Sequence, residues 1–295
     1  RNPKEYAFGF NKRVLAYFAC DLYNVYMTTQ LNGAETVFLP FNQGSNGAGK
    51  DGGAGNPTTE DGKYVTSYFW ENVLQKDKLL DILQKFISYE RSEKKKIMPD
   101  GSTKTTVSSK VIFPRYHQLD VVRKLVSHVR ENGAGHNYLI QHSAGSGKSN
   151  SIAWTAYRMA SLHDENNNPI FDSVIIVTDR RVLDQQLQAT VSGFDHTLGS
   201  VVTIDEKKNS GDLRDAINDG KRIIISTLQK FPVIYDEVHS SVGKHYAVIV
   251  DEAHSSQTGQ SALKLKAALA DVSDALQEYA ELEEKAVEEI EKNDP

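Results

Sequence analysis

The run Ile140-Gln141-His142-Ser143-Ala144-Gly145-Ser146-Gly147-Lys148-Ser149 puts a glycine-containing loop between an apolar stretch and a segment that reads as a helix start. Small residues at this spacing let backbone N–H groups converge on an anion and let the backbone approach it closely. A lysine and a hydroxyl directly after the last glycine add a mobile cation and a ligand for a divalent ion. These are the needs of a nucleoside triphosphate. Ser143, Ala144, Gly145, Ser146 and Gly147 are expected to cradle phosphates, Lys148 to meet the β- and γ-phosphates, and Ser149 to ligate Mg²⁺. The usual pattern is G-x-x-x-x-G-K-[ST]; here its first position is His142.

A second run, Val248-Ile249-Val250-Asp251-Glu252-Ala253-His254, ends an apolar strand on two carboxylates. The carboxyl edge of a parallel sheet is where α/β folds place ligands. Asp251 is expected to hold Mg²⁺ through its shell, and Glu252 to orient or deprotonate the attacking water. With Lys148 they form the expected catalytic set. His254 is expected to sense the γ-phosphate and couple it to DNA. Upstream, Phe113-Pro114-Arg115-Tyr116-His117-Gln118 offers an amide that can pair with the donor/acceptor edge of adenine, with Arg115 stacking or bracing nearby. Thr178, Arg180 and Arg181 follow one apolar strand, and Ser226, Thr227 and Lys230 follow another. Residues of these types at strand ends hold backbone phosphates without reading sequence.

Such groups need a scaffold. From Val111 onward, short apolar runs (Tyr138–Ile140, Val174–Val177, Val201–Ile204, Ile223–Ile225, Val248–Val250) alternate with helix-like segments. Alternation of this kind predicts an α/β fold, a parallel sheet covered by helices. Arg115 to Arg130 reads as one helix, and another is expected to start near Ser149. Before this region, Lys12–Cys20, Tyr23–Leu31 and Thr36–Phe41 read as strands and Trp70–Ile87 as a helix, a smaller α+β part. Residues 42–63 read as a long flexible Gly/Asn loop, and the polar stretch 91–110 as a linker between residues 1–90 and 111–295. The acidic stretch from Leu263 to Lys292 reads as a solvated helix.

Composition narrows the class. The chain has 295 residues, 39% hydrophobic and 25% charged, which suits a globular protein with real cores. The net charge of −5 leaves no global basic field, so any nucleic-acid contact must be local. The single cysteine, Cys20, permits no internal disulfide and fits a reducing, cytoplasmic setting. No apolar run is long enough for a transmembrane helix, and no membrane partner is expected.

In their order these motifs resemble the first RecA-like domain of a superfamily-two helicase or translocase. More closely, FPRYHQLDVVRKL, HNYLIQHSAGSGKSNSIAW, FDSVIIVTDRRVLDQQL, IIISTLQKFP and VIVDEAHSSQTG look like the motor (R) subunit of type I restriction enzymes. So does VYMTTQLNGAETVFLPFNQG followed by GAGNP, which is similar to the region between nuclease and motor in that subunit. The resemblance implies ATP and Mg²⁺ as cofactors, and duplex DNA, a methyltransferase subunit and a specificity subunit as partners. It implies a motor that pulls DNA past a fixed complex. The family's nuclease resembles PD-(D/E)xK enzymes. No matching carboxylate–lysine set lies on an apolar strand of residues 1–41, so its catalytic residues are expected before Arg1, with residues 1–90 the tail of that domain. A second RecA-like domain is expected after Pro295. Two rival readings stand beside this one: a DEAH-type RNA helicase or remodelling ATPase, and a nucleotide-binding scaffold without turnover.

Overall fold

The computed structural model describes residues 5–59, 62–97, 103–143, 145–178, 185–194, 200–205, 207–231 and 244–251. The chain divides into two compact units. One comprises Arg1–Lys124 and His142–Trp154, the other Leu125–Gln141 and Thr155–Pro295.

The second unit holds the parallel sheet. Strands β6 (Ser173–Thr178) and β8 (Ile223–Thr227) are buried along their whole length. Their unbroken apolar runs are what a strand needs when both faces are covered. Strands β7 (Val201–Thr203) and β9 (Tyr246–Val250) flank them, giving the order β7-β8-β6-β9 with every pairing parallel. Parallel neighbours require crossover connections. Helix α4 (Gln185–Gly193) lies between β6 and β7 in the chain, and α5 (Ser210–Asn218) between β7 and β8. The fold is the RecA-like α/β architecture that the alternating sequence predicts. Ile175, Val177, Ile204, Leu213, Ile217, Ile224 and Phe231 form a core cluster. Helix α5 starts on a capping box. The Asn209 side chain accepts from the Asp212 N–H at 3.1 Å, and the Asp212 carboxylate accepts from the Asn209 N–H at 2.7 Å. The register Val177↔Val250 and Thr178↔Thr227 brings Thr178, Thr227 and Asp251 to one carboxyl edge.

One expected strand is missing. Tyr138–Ile140 is irregular and exposed, Leu139 at 85%. A strand forms only where a neighbour completes its ladder and covers its side chains, and no described strand pairs with these residues. Strand β9 is likewise paired only with β6 among the described strands, and Val248 is 40% exposed. The expected helix in 263–292 lies outside the described residues.

In the first unit, β1 (Tyr17–Cys20), β2 (Val25–Thr28) and β3 (Leu39–Pro40) form an antiparallel sheet. The strands are shorter than their apolar runs suggest. Aromatic residues supply the core: Phe18 meets Phe69 with ring centroids 4.7 Å apart, and Phe41 meets Tyr116 edge-on at 5.8 Å. The loop after Phe41 is stitched rather than free. Asn42 Oδ1 accepts from Val25 N–H (2.8 Å) and Asn56 Nδ2 (3.0 Å), and Gly44 N–H donates to Gly55 O (2.8 Å). A π-turn (Phe69–Val73) precedes α1 (Lys76–Lys85), so the expected single helix is two pieces. The stretch read as a linker folds as a two-stranded ribbon of β4 (Ser88–Ile97) and β5 (Thr103–Ile112). Helices α2 (Tyr116–Asn132) and α3 (Lys148–Ala160) run close to their predicted positions. In the first unit, Trp154 of α3 is 1% exposed and donates from Nε1 to Phe86 O at 3.0 Å.

Candidate functional site

The loop that leads into α3 turns on glycines. Gly145 and Gly147 have φ of 74° and 84°, the left-handed region that other residues rarely adopt. Helix α3 begins at Lys148, so Lys148 and Ser149 stand on its first turn, where backbone N–H groups lack helical partners. Ser146 N–H donates to Ser143 O at 3.2 Å. Ser146 Oγ is buried with no hydrogen-bond partner among the described residues, and so is His142 Nδ1. Positive-φ glycines, a helix start, and unpartnered buried polar atoms in one loop fit a phosphate group. Ala144 lies outside the described residues.

The loop is braced from α2. Gln118, 2% exposed, donates from Nε2 to Gly147 O (2.8 Å) and Ser146 O (3.3 Å), while its Oε1 accepts from Arg115 N–H (2.8 Å). The amide expected from sequence to face adenine donates here to P-loop carbonyls and accepts from the Arg115 N–H. Next to it, His117 Nε2 lies 3.1 Å from Ser146 O. A carbonyl only accepts, so this nitrogen carries the proton. The ring of His117 meets that of His142 edge-on, centroids 5.2 Å apart at 87°. Burial lowers the pKa of both rings. For His142, the neighbouring His117 and Lys148 lower it further; for His117, the Ser146 carbonyl opposes the shift and Arg115 adds to it. Sequence reading treated His142 only as a departure from the usual pattern. The HQ pair upstream is visible in the sequence without any indication of this contact.

In the second unit, Asp251 follows β9 directly, and its N–H donates to Val177 O at 2.9 Å. This bond fixes the Asp251 backbone at the sheet's carboxyl edge. Glu252 and His254 lie outside the described residues. Among the described residues no group of three or more His, Cys, Asp or Glu side chains is placed to hold a metal. A divalent ion brought by a nucleotide needs only one or two protein ligands.

The residues expected at a nucleic-acid backbone are placed less openly. Thr178, Ser226 and Thr227 are 4%, 0% and 5% exposed. Lys230 donates from Nζ to Ile204 O (3.0 Å), Lys208 O (2.8 Å) and, by a shorter bond, Asp205 O. Its ammonium therefore ties down the chain after β7 rather than pointing outward. The Thr178, Ser226 and Thr227 side chains are all buried at the strand ends in this structure. Arg180 and Arg181 lie outside the described residues. Replacing Lys230 by methionine is expected to lower the unfolding free energy by about 2 kcal/mol, the scale of hydrogen bonds to a charged donor. Urea denaturation with an unchanged midpoint would show that water satisfies those carbonyls equally well.

No described helix is long and apolar enough to cross a membrane. No curated protein matches the chain. The family model for SWI2/SNF2 ATPases matches residues 117–274. That span starts at the His117–Gln118 brace and includes the P-loop, the parallel sheet and Asp251–His254. The match covers more than half of the chain, and with the glycine-turned loop at the head of α3 and the carboxylate at the sheet edge it places the function with ATP-dependent, helicase-like enzymes. The chain belongs to the SWI2/SNF2 ATPase family.

Proposed function

We propose that this chain is the ATP-binding part of the DNA-translocating subunit of a type I restriction enzyme. It would draw duplex DNA past a complex containing methyltransferase and specificity subunits. The observation that carries the reading lies ahead of the family match. The segment VYMTTQLNGAETVFLPFNQG resembles that subunit, and its residues hold the FPRYHQ segment directly: Gln43 Nε2 donates to Tyr116 Oη at 2.9 Å, and Phe41 packs on the Tyr116 ring. Tyr68 adds a second edge-on contact to Tyr116 at 5.1 Å. This amino-terminal region therefore shares one packed unit with the P-loop brace, which favours a dedicated subunit over a motor with an unrelated appendage.

In this reading Lys148 and the α3 start hold the phosphates, and Gln118 serves ATP through the loop it braces. Ser149 and Asp251 would each offer an oxygen ligand to Mg²⁺, which would supply charge neutralisation at the phosphates when bound. Glu252 orients the attacking water. A second reading, a free-standing remodelling ATPase, draws on the family description alone. Steady-state ATP hydrolysis separates the two. Turnover stimulated by duplex DNA only when the methyltransferase and specificity subunits are present supports the first. Equal stimulation by duplex DNA without them supports the second, and stimulation by RNA overturns both. Glu252→Gln is expected to abolish turnover while leaving ATP binding intact.

A further inference from the structure

We propose that His142 is a further nucleotide-contacting residue, a protonatable ligand for the phosphates that His117 holds in position on the P-loop. The argument starts from a polar atom without a partner. His142 Nδ1 is shielded from water and bonded to nothing among the described residues. It stands in the same loop as the equally unpartnered Ser146 Oγ, and the loop is otherwise pinned by Gln118. Buried polar groups are nearly always paired. Six buried side-chain atoms lack a partner among the described residues, and two of them, His142 Nδ1 and Ser146 Oγ, share this one loop, where a phosphate could pair with them.

The pair has a division of labour. His117 spends its Nε2 proton on Ser146 O at 3.1 Å, and this bond fixes its ring. The fixed ring then sets His142 by an edge-on contact with centroids 5.2 Å apart. His117 is thus a positioning residue and His142 the contact.

Charge gives the pair a readable consequence. Without nucleotide, burial disfavours the proton on both rings; His117 and Lys148 oppose a proton on His142, and Arg115 opposes one on His117. No carboxylate among the described residues counters these groups. A polyanion reverses the balance, because negative charge beside an imidazole favours its protonated form. The pKa of His142 is then higher with nucleotide bound than without. Affinity rises as pH falls through the bound-state pKa and levels off below the free-state pKa. A single linked proton changes affinity by at most about tenfold per pH unit.

The test measures ATP binding by calorimetry from pH 5.5 to 8.5, in buffers with different ionisation heats, on the whole chain. The nucleotide's own phosphates titrate in this range, so the quantity that matters is the difference between variants. Wild type is expected to take up more protons on binding than His142→Asn, and its affinity to rise about tenfold more across the acid limb. His142→Gly, which restores the usual loop pattern, is expected to behave like His142→Asn. His117→Gln, whose amide can still donate to Ser146 O but which lacks the ring that sets His142, is expected to lower proton uptake on binding toward that of His142→Asn. Identical proton uptake in wild type and both His142 variants would overturn the proposal while leaving ATP binding in place. Failure of wild type to bind ATP at any pH would overturn the nucleotide assignment itself.

Discussion

Lys148→Ala is expected to weaken ATP binding by about 1.5–3 kcal/mol, the worth of a hydrogen bond to a charged group. That is roughly ten- to hundredfold in Kd. Lys148 is the first residue of α3, so its backbone already belongs to the helix end that meets anions, and its side chain adds a full positive charge to the same place. The ammonium is near enough to His142 to help lower the pKa of that ring. Alanine keeps the helix, since it is the best helix former, so the fold should survive. Lys148→Arg keeps the charge but replaces a compact donor with a broad planar one, and only part of the affinity should return. Calorimetry on the three proteins, with unfolding followed in parallel without nucleotide, separates charge from fold. Equal ATP affinity for wild type and Lys148→Ala would remove the lysine from the site.

How much of this was legible beforehand depends on the range of the interactions involved. The P-loop is a local feature: glycines, lysine and serine sit within one turn and their meaning does not depend on distant residues. The same holds for β6 and β8, whose Val174–Val177 and Ile223–Ile225 runs are buried on both sides. Tyr138–Ile140 is just as apolar, yet it forms no strand, because pairing needs a neighbour that composition cannot supply. The ribbon of β4 and β5 was hidden for the opposite reason. Its residues Thr103 to Ser108 are exposed on both faces, so no alternation of apolar and polar residues marks it. The 42–63 loop reads as flexible from its glycines, whereas its order comes from Asn42 and Asn56, whose partners lie at Val25, Asn24 and Tyr23. Gln118 shows the limit most directly. Its presence before the P-loop was readable, but the atoms it meets lie across a fold that only the three-dimensional arrangement reveals.

Gly147→Ala is expected to damage both the loop and its ligand affinity, for two separable reasons. The first is backbone. At φ of 84°, any residue with a Cβ is strained, by about 1–2 kcal/mol. The second is steric. A Cβ on Gly147 would stand 2.5 Å from Gln118 Nε2 and 3.6 Å from its Cδ. Gln118 cannot swing away cheaply. It is 2% exposed, its Nε2 donates to Gly147 O and Ser146 O, and its Oε1 accepts from Arg115 N–H. Moving it breaks these bonds at about 1 kcal/mol each. The two contributions predict a stability loss of about 3 kcal/mol or more, and ATP affinity reduced at least roughly tenfold as the loop amides lose their alignment. A double-mutant cycle with Gln118→Ala apportions the loss. Gln118→Ala alone removes the brace and costs stability; in the Gly147→Ala background it also removes the clash, so the two losses should fall short of additive by about 1–2 kcal/mol. The backbone strain stays in either background. Strict additivity in urea denaturation would mean that Gln118 does not press on Gly147, and the brace would then have to be sought elsewhere on α2.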